Sequence, residues 1–195
     1  VTDWSAYHRF TQGRDPRPLF VRAVEWVGAG DGRTAIDIGF GDGTETRALF
    51  AGGWSVFAVD PEPSAAAGLT STVPTDQLPR LRAVTARVED VEFPAAGFVY
   101  AGYSLPFCTP DRFPEVWGRI GHALEPGGLF AGQLFGVRDS WASNPQMTFV
   151  DRDRLRSLLA AYEVLDLEEE DAPGDSFSGP KHWHVFHVIA RLKSG

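Results

Sequence analysis

The sequence predicts an α/β fold: a Rossmann-like, doubly wound sheet of seven strands, mostly parallel, with one antiparallel strand near its edge. Three observations carry this. Short apolar runs alternate with helix-period patterns from Phe20 to Tyr162. A glycine-rich turn, Gly39-Phe40-Gly41-Asp42-Gly43, closes the first apolar run. The last two strand-like runs follow one another without a helix between them. A connection that short can only pair them antiparallel.

The elements follow in order. Phe20, Val24 and Val27 recur at helical spacing and predict a leading helix from Pro18 to Gly28. Thr34–Ile38 reads as the first strand, Glu45–Ala51 as a helix, and Trp54–Val59 as a second strand ending at Asp60-Pro61. Leu81–Val88 and Phe98–Tyr103 are the third and fourth strands. Phe113, Val116, Trp117, Ile120 and Leu124 fall on one helical face, with Asp111 the expected N-cap and Pro114 tolerable in the first turn. Leu129–Phe135 is the fifth strand, and Asp151 is placed to cap a helix carrying Leu155, Leu158, Leu159 and Tyr162. Glu163–Leu167 and Trp183–Leu192, joined by a loop, complete the sheet.

The chain has 195 residues and a net charge of −8, a length that predicts one domain over residues 1–195. Its only lysines are Lys181 and Lys193, and no basic run is present, which argues against a nucleic-acid partner. The single cysteine, Cys108, leaves no disulfide framework or cysteine-rich metal site. No apolar stretch has the length of a membrane span, and Val1-Thr2-Asp3-Trp4 is no signal peptide. The expectation is a cytoplasmic protein, monomeric or homodimeric, with a small-molecule partner.

The densest chemical signal is Ala35-Ile36-Asp37-Ile38-Gly39-Phe40-Gly41-Asp42-Gly43-Thr44. Alternate glycines let the backbone turn sharply and let a ligand lie against it, and the helix beyond points free N–H groups at that ligand. Asp60, at the end of the next strand, can accept hydrogen bonds from both hydroxyls of a ribose. A nicotinamide fingerprint wants Gly or Ala where Thr44 stands.

The order acid–x–Gly–x–Gly–x–Gly resembles the first motif of class I SAM-dependent methyltransferases. Glu89-Asp90-Val91-Glu92-Phe93 looks like the adenine-flanking segment of that family, and Leu124-Glu125-Pro126-Gly127-Gly128 like its turn before the fifth strand. The resemblance implies S-adenosylmethionine as cofactor. It assigns Asp37, Gly39, Phe40 and Gly41 to the methionine part, and Asp60 with Pro61 to the ribose. Glu89 or the backbone of Val88 would meet the adenine, and Tyr103 would border the methyl group. Arg87 stands where family members often carry an acid, and Phe40 where they often carry a small residue. In many small members an N-terminal segment covers the cofactor. Residues 1–17 would be that segment here, with Tyr7 or Arg14 at the cofactor's carboxylate; the alternative is aromatics packed on the sheet edge. Among subfamilies the chain looks closest to compact enzymes of the tellurite-resistance and thiol methyltransferase kind.

Three segments are expected to build an acceptor pocket: Tyr103–Phe107 with Ser104, Phe135–Trp141 with Arg138, and Lys181–His184 with Trp183. His182 and His184 share a strand face and, with Ser104, are candidate catalytic groups. No third ligand joins them, so no metal is expected. The resemblance implies methyl transfer to a small-molecule acceptor through O, N, S or a metalloid. The alternatives are other SAM chemistry (aminocarboxypropyl transfer or cyclisation), a nicotinamide oxidoreductase, and a non-catalytic SAM-fold partner.

Overall fold

The computed structural model describes residues 4–194. Its strands are β1 (Thr34–Ile38), β2 (Ser55–Asp60), β3 (Leu81–Thr85), β4 (Ala96–Ala101), β5 (Leu124–Gly136), β6 (Phe149–Val150), β7 (Tyr162–Ser176) and β8 (Gly179–Leu192). The helices are α1 (Trp4–Thr11), α2 (Pro18–Val27), α3 (Thr44–Ala51), α4 (Pro63–Thr72), α5 (Phe113–Ala123) and α6 (Arg152–Leu158). The sheet runs β3-β2-β1-β4-β5-β8-β7, with β6 beside β5. Only β8 runs against its neighbours. The predicted architecture is therefore present, with the two-residue β6 as an eighth strand.

Alternation along β1 and β2 divides two cores. Ile36, Ile38, Phe57 and Val59 face α5 and α6, while Ala35, Val56 and Ala58 face α2, α3 and α4. Central parallel strands covered on both sides read as continuous apolar runs, which is why β4 is buried at every position.

The structure departs from the sequence reading in three places and agrees at the Asp151 cap. Helix α4 was not expected; it buries only Ala65 and Leu69, so its Ser- and Ala-rich stretch carries almost no apolar stripe. Asp111 is not an N-cap: α5 starts at Phe113 after Arg112, with no side-chain cap bond. Asp151 does cap α6, accepting from the Arg154 N–H at 2.8 Å. Most consequential, residues 168–182 are not a loop. β7 and β8 stay paired from Tyr162↔Leu192 to Ser176↔Gly179, turning through Phe177 and Ser178 alone. β8 pairs with β5 only as far as Val185↔Phe135, so the distal half of this hairpin projects beyond the sheet.

Candidate active site

The turn after β1 is held in shape by its glycines. Gly39, Gly41 and Gly43 have φ of 72°, 54° and 75°, values that only glycine adopts without strain. A Cβ at Gly39 would run into the Cβ of Ser104, because the ends of β1 and β4 touch there. The Ser104 hydroxyl donates to the Ile38 carbonyl at 2.6 Å and fixes that contact. Gly43 then opens α3 in a left-handed conformation. Asp42 accepts from the Thr44 hydroxyl at 2.8 Å beside it.

Asp60 closes the turn from the other side. One carboxylate oxygen accepts from the Gly41 N–H at 3.0 Å and the other from the Glu62 N–H at 2.9 Å. Asp37 is fully buried beneath the turn and accepts from the Thr46 hydroxyl at 2.6 Å. Burial pushes its carboxyl up to about 8, against the lowering effect of that hydrogen bond. Burial also works to raise Glu45, but Arg14, at 2.6 and 2.5 Å, and the Arg17 N–H hold it below the usual carboxylate range. Glu89 shows the same contest. Arg87, bonded to it at 2.6 Å, outweighs burial, so the departure at Arg87 still leaves an ionised acid on the cleft wall.

These groups line one cleft of about 1220 Å³. Tyr7, Arg14, Asp37, Gly39, Phe40, Gly41, Asp60, Pro61, Val88, Glu89 and Tyr103 all border it. The Phe40 side chain is 2% exposed and packs into the core with α2, α3 and α4, so it leaves the cleft open. Two buried polar atoms of lining residues, Arg14 Nε and Tyr100 Oη, have no hydrogen-bond partner among the described residues. The cleft continues into an aromatic compartment. Tyr103 meets Trp183 and Phe135 at ring-centroid distances of 6.0 and 6.2 Å, and Phe107 meets Trp141 at 6.4 Å. Trp4 of α1 stands edge-on to Phe107 at 4.8 Å.

Residues 35–128, from β1 into the start of β5, match the family model described as a methyltransferase domain. That segment, just under half of the chain, is similar to a methyltransferase domain. Solved methyltransferases share its fold. TehB from Haemophilus influenzae superposes with a TM-score of 0.76 at 16% identity, over 91% of this chain and 63% of that one. This chain therefore spans less than two thirds of TehB. The 1,6-didemethyltoxoflavin-N1-methyltransferase of Burkholderia thailandensis, solved with 1,6-didemethyltoxoflavin and S-adenosylhomocysteine, gives a TM-score of 0.68 at 21% identity, covering 91% of this chain and 78% of its own. The N-methyltransferase NodS from Bradyrhizobium japonicum WM9, in complex with S-adenosylhomocysteine, gives 0.69 at 12% identity, covering 98% and 99%. No curated protein matches the sequence. The family match disfavours the nicotinamide reading.

Within the cleft the three expected acceptor segments meet, but not through all the residues expected. Tyr103, Phe107, Phe135, Trp141 and Trp183 line it; His182, His184 and Arg138 do not. Trp183 takes the cleft face of β8, which turns both histidines to the opposite face. His184 is 1% exposed. Its Nδ1 accepts from the Arg138 N–H at 3.0 Å, so Nε2 bears the proton and donates to Glu169 at 3.0 Å. Gly136 leaves the room for this ring, since a Cβ there would strike it. His182 pairs with Asp171 at 2.7 Å on the surface, and the Arg138 guanidinium bridges Asp171 and Glu169. Glu169, Asp171 and His184 lie close enough to suggest a metal site, yet the His184 tautomer and the arginines Arg138 and Arg152 occupy their ligand atoms. Ser104 borders the cleft, but its hydroxyl is committed to Ile38. Burial raises the Cys108 thiol to about 12, which removes it as a nucleophile.

Sequence reasoning missed Arg17 and Phe177, which border the cleft; of the acidic run 168–171, read as a solvated strand end or a feature favouring a cationic substrate, only Glu170 reaches it. Arg17 lies over the Tyr103 ring at 4.9 Å and donates to the Tyr7 hydroxyl at 3.0 Å. Phe177, at the hairpin tip, reaches Tyr7 and Phe10 of α1 at 5.7 and 5.6 Å. An aromatic flanked by Ser176 and Ser178 was the available signal for a turn that packs on another element.

Proposed function

We propose that this protein transfers the methyl group of S-adenosylmethionine to a small-molecule acceptor held in the aromatic half of the cleft. One observation carries the reading: the Asp60 carboxylate is clamped across the glycine turn at Gly41, in a cleft that is also lined by the aromatic residues Tyr103, Phe107, Trp141 and Trp183. The cofactor supplies a sulfonium-bound methyl group, which an electron-rich acceptor attacks in line. The chain's own residues fit it. Asp60 offers a fixed, buried carboxylate to ribose hydroxyls, with Pro61 beside it. The turn Gly39–Gly41 leaves backbone exposed to a ligand, and Val88 with Glu89 forms the adenine wall. Asp37, Tyr100 and Arg14 surround the place for the charged amino-acid end, where the two unpartnered polar atoms would find partners.

Alignment and exclusion of water are what the protein must add, and they supply a large share of the rate in such a displacement. Helix α1 and the β7–β8 tip meet across the cleft through Tyr7 and Phe177, and on this reading residues 4–17 and that tip form the lid. Residues 1–3 of the expected lid lie outside the described residues. Among the described residues no helix is long and apolar enough to cross a membrane.

Calorimetry with S-adenosylhomocysteine tests the reading. Asp60→Ala should weaken binding by about 1.5–3 kcal/mol, the worth of hydrogen bonds to a charged group. Unchanged affinity in a folded variant would overturn the site. Product analysis separates the chemistries: S-adenosylhomocysteine marks methyl transfer, methylthioadenosine transfer of the other end.

A further inference from the structure

A directed chain of hydrogen bonds ends in the aromatic compartment. It starts at Tyr103, whose backbone is left-handed with φ of 56°, rare for a bulky residue. The Tyr103 N–H donates to Gln133 Oε1 at 3.2 Å, which fixes the orientation of that buried amide. Gln133 Nε2 then faces His187 Nδ1 across a long 3.5 Å contact. With Nδ1 the acceptor, the proton sits on Nε2, which donates to Glu170 Oε2 at 3.2 Å. Glu170 borders the cleft, and its other oxygen has no hydrogen-bond partner among the described residues. Three successive donors thus aim one carboxylate into the acceptor compartment and hold it there.

The surrounding charges favour the same kind of guest. Arg14 is tied to Glu45, Arg87 to Glu89, and Arg17 to Tyr7 and the Tyr103 face. Lys181 is sealed behind Trp141 and Trp183, with Nζ 3.5 and 3.8 Å from their ring centres and 2.6 Å from Asp139. Each cation near the cleft therefore has a partner, and Glu170 and Asp175 are the acids at its aromatic end. Aromatic walls favour a flat guest through stacking.

We infer that the acceptor is a flat aromatic molecule presenting an N–H group, neutral or protonated, and that Glu170 is the carboxylate that recognises it, with His187 as its positioning residue. The inference rests on the methyl-transfer reading only in calling the guest an acceptor. Its test uses three probes with the full chain, each titrated by tryptophan fluorescence with and without S-adenosylhomocysteine. They are 4-aminoquinoline, which is flat and bears N–H; 2-naphthoate, which is flat and anionic; and cyclohexylamine, which bears N–H but is not flat. The expected result is 4-aminoquinoline binding about tenfold or more tighter than either other probe, in line with hydrogen bonds to a charged group. Glu170→Gln should remove the advantage over 2-naphthoate. His187→Ala should lose part of it, and His187→Gln, which keeps a donor, should restore it. Equal or tighter binding of 2-naphthoate, or a preference that survives Glu170→Gln, overturns the inference. Calorimetry with S-adenosylhomocysteine on the same samples keeps the two readings apart: its failure to bind counts against methyl transfer alone, and lost probe preference with intact cofactor binding counts against Glu170 alone.

Discussion

Arg14 grips Glu45 through both terminal guanidinium nitrogens, at 2.6 and 2.5 Å, across thirty-one residues of sequence. Glu45 lies in the first turn of α3, so this fork fastens the segment after α1 to the helix that follows the glycine turn. An acid in the first helical turn would normally answer the helix dipole alone. Here it also accepts the Arg17 N–H at 3.0 Å, and the link between α1 and α2 is anchored at one buried carboxylate.

Arg14→Ala should therefore destabilise the protein by about 2–4 kcal/mol, since it leaves Glu45 buried without its main partner. Arg14→Lys should rescue little, because an ammonium cannot reproduce the fork. The effect has a defined pH dependence. Glu45 is held below its ordinary range, so its contribution is present above the unfolded value near 4.5 and is lost as pH falls through the folded value. Urea unfolding at neutral and at acid pH should show the gap between wild type and Arg14→Ala closing in acid. A gap independent of pH would rule out this linkage.

Asp37 behaves in the opposite sense. Its folded value is raised to about 8 from 3.8, so the folded state keeps a proton that the unfolded state releases between those values. Stability should then fall as pH rises through that window. Asp37→Asn keeps the size and can still accept from the Thr46 hydroxyl. Relative to wild type, its unfolding temperature should climb from pH 5 to pH 9, by about 2–4 °C for each kcal/mol in a chain this long. Melting curves across that range decide it: parallel curves would mean that Asp37 is already ionised in the folded protein at neutral pH.

His184 is expected to matter for stability and not for turnover. Truncation to Ala would strand the Arg138 N–H, leave Glu169 without one donor, and open a cavity beside Gly136. A cost of about 2–4 kcal/mol follows from the cavity and the stranded donor together. Because the ring lies on the sheet face opposite Trp183, affinity for S-adenosylhomocysteine per folded molecule should stay unchanged. Matched thermal melts and calorimetry separate the two quantities, and weakened cofactor binding with normal stability would return His184 to the site.

What the sequence showed depended on how strongly local pattern reflects tertiary surroundings. The order of β1, β2 and β4 was legible because strands covered on both faces must be apolar throughout. The glycine turn was legible because a sharp left-handed backbone needs glycine; Asp37 was read from the resemblance and Asp60 from its place at the end of the second strand, while the clamp of Asp60 onto the Gly41 N–H was not foreseen. The hairpin was not legible. Pro173, Gly174, Gly179 and Pro180 read as loop residues, yet β7 is an edge strand, and β8 before Val185 has no β5 neighbour. Prolines are tolerated where no ladder partner is missed. Period-two spacing placed His182 and His184 together on one face, but spacing cannot tell which face looks into a cleft. Trp183, between them, held the answer only in three dimensions.

The same overhanging hairpin gives the last prediction. Residues 171–184 project past the end of β5 and bring Phe177 against Tyr7 and Phe10. Phe177 is 43% exposed, so it adds little to the core, and its contacts join two elements that border the cleft from different ends of the chain. Such a closure governs how fast a bound ligand leaves. Phe177→Ser should change the unfolding temperature by no more than about 2 °C, as expected for a surface position. It should also speed dissociation of S-adenosylhomocysteine by about five- to tenfold, the loss of one aromatic contact pair of about 1 kcal/mol. Stopped-flow displacement of S-adenosylhomocysteine by excess S-adenosylmethionine, followed by tryptophan fluorescence, measures that rate. An unchanged rate would show that α1 and the hairpin tip do not hold the cleft shut.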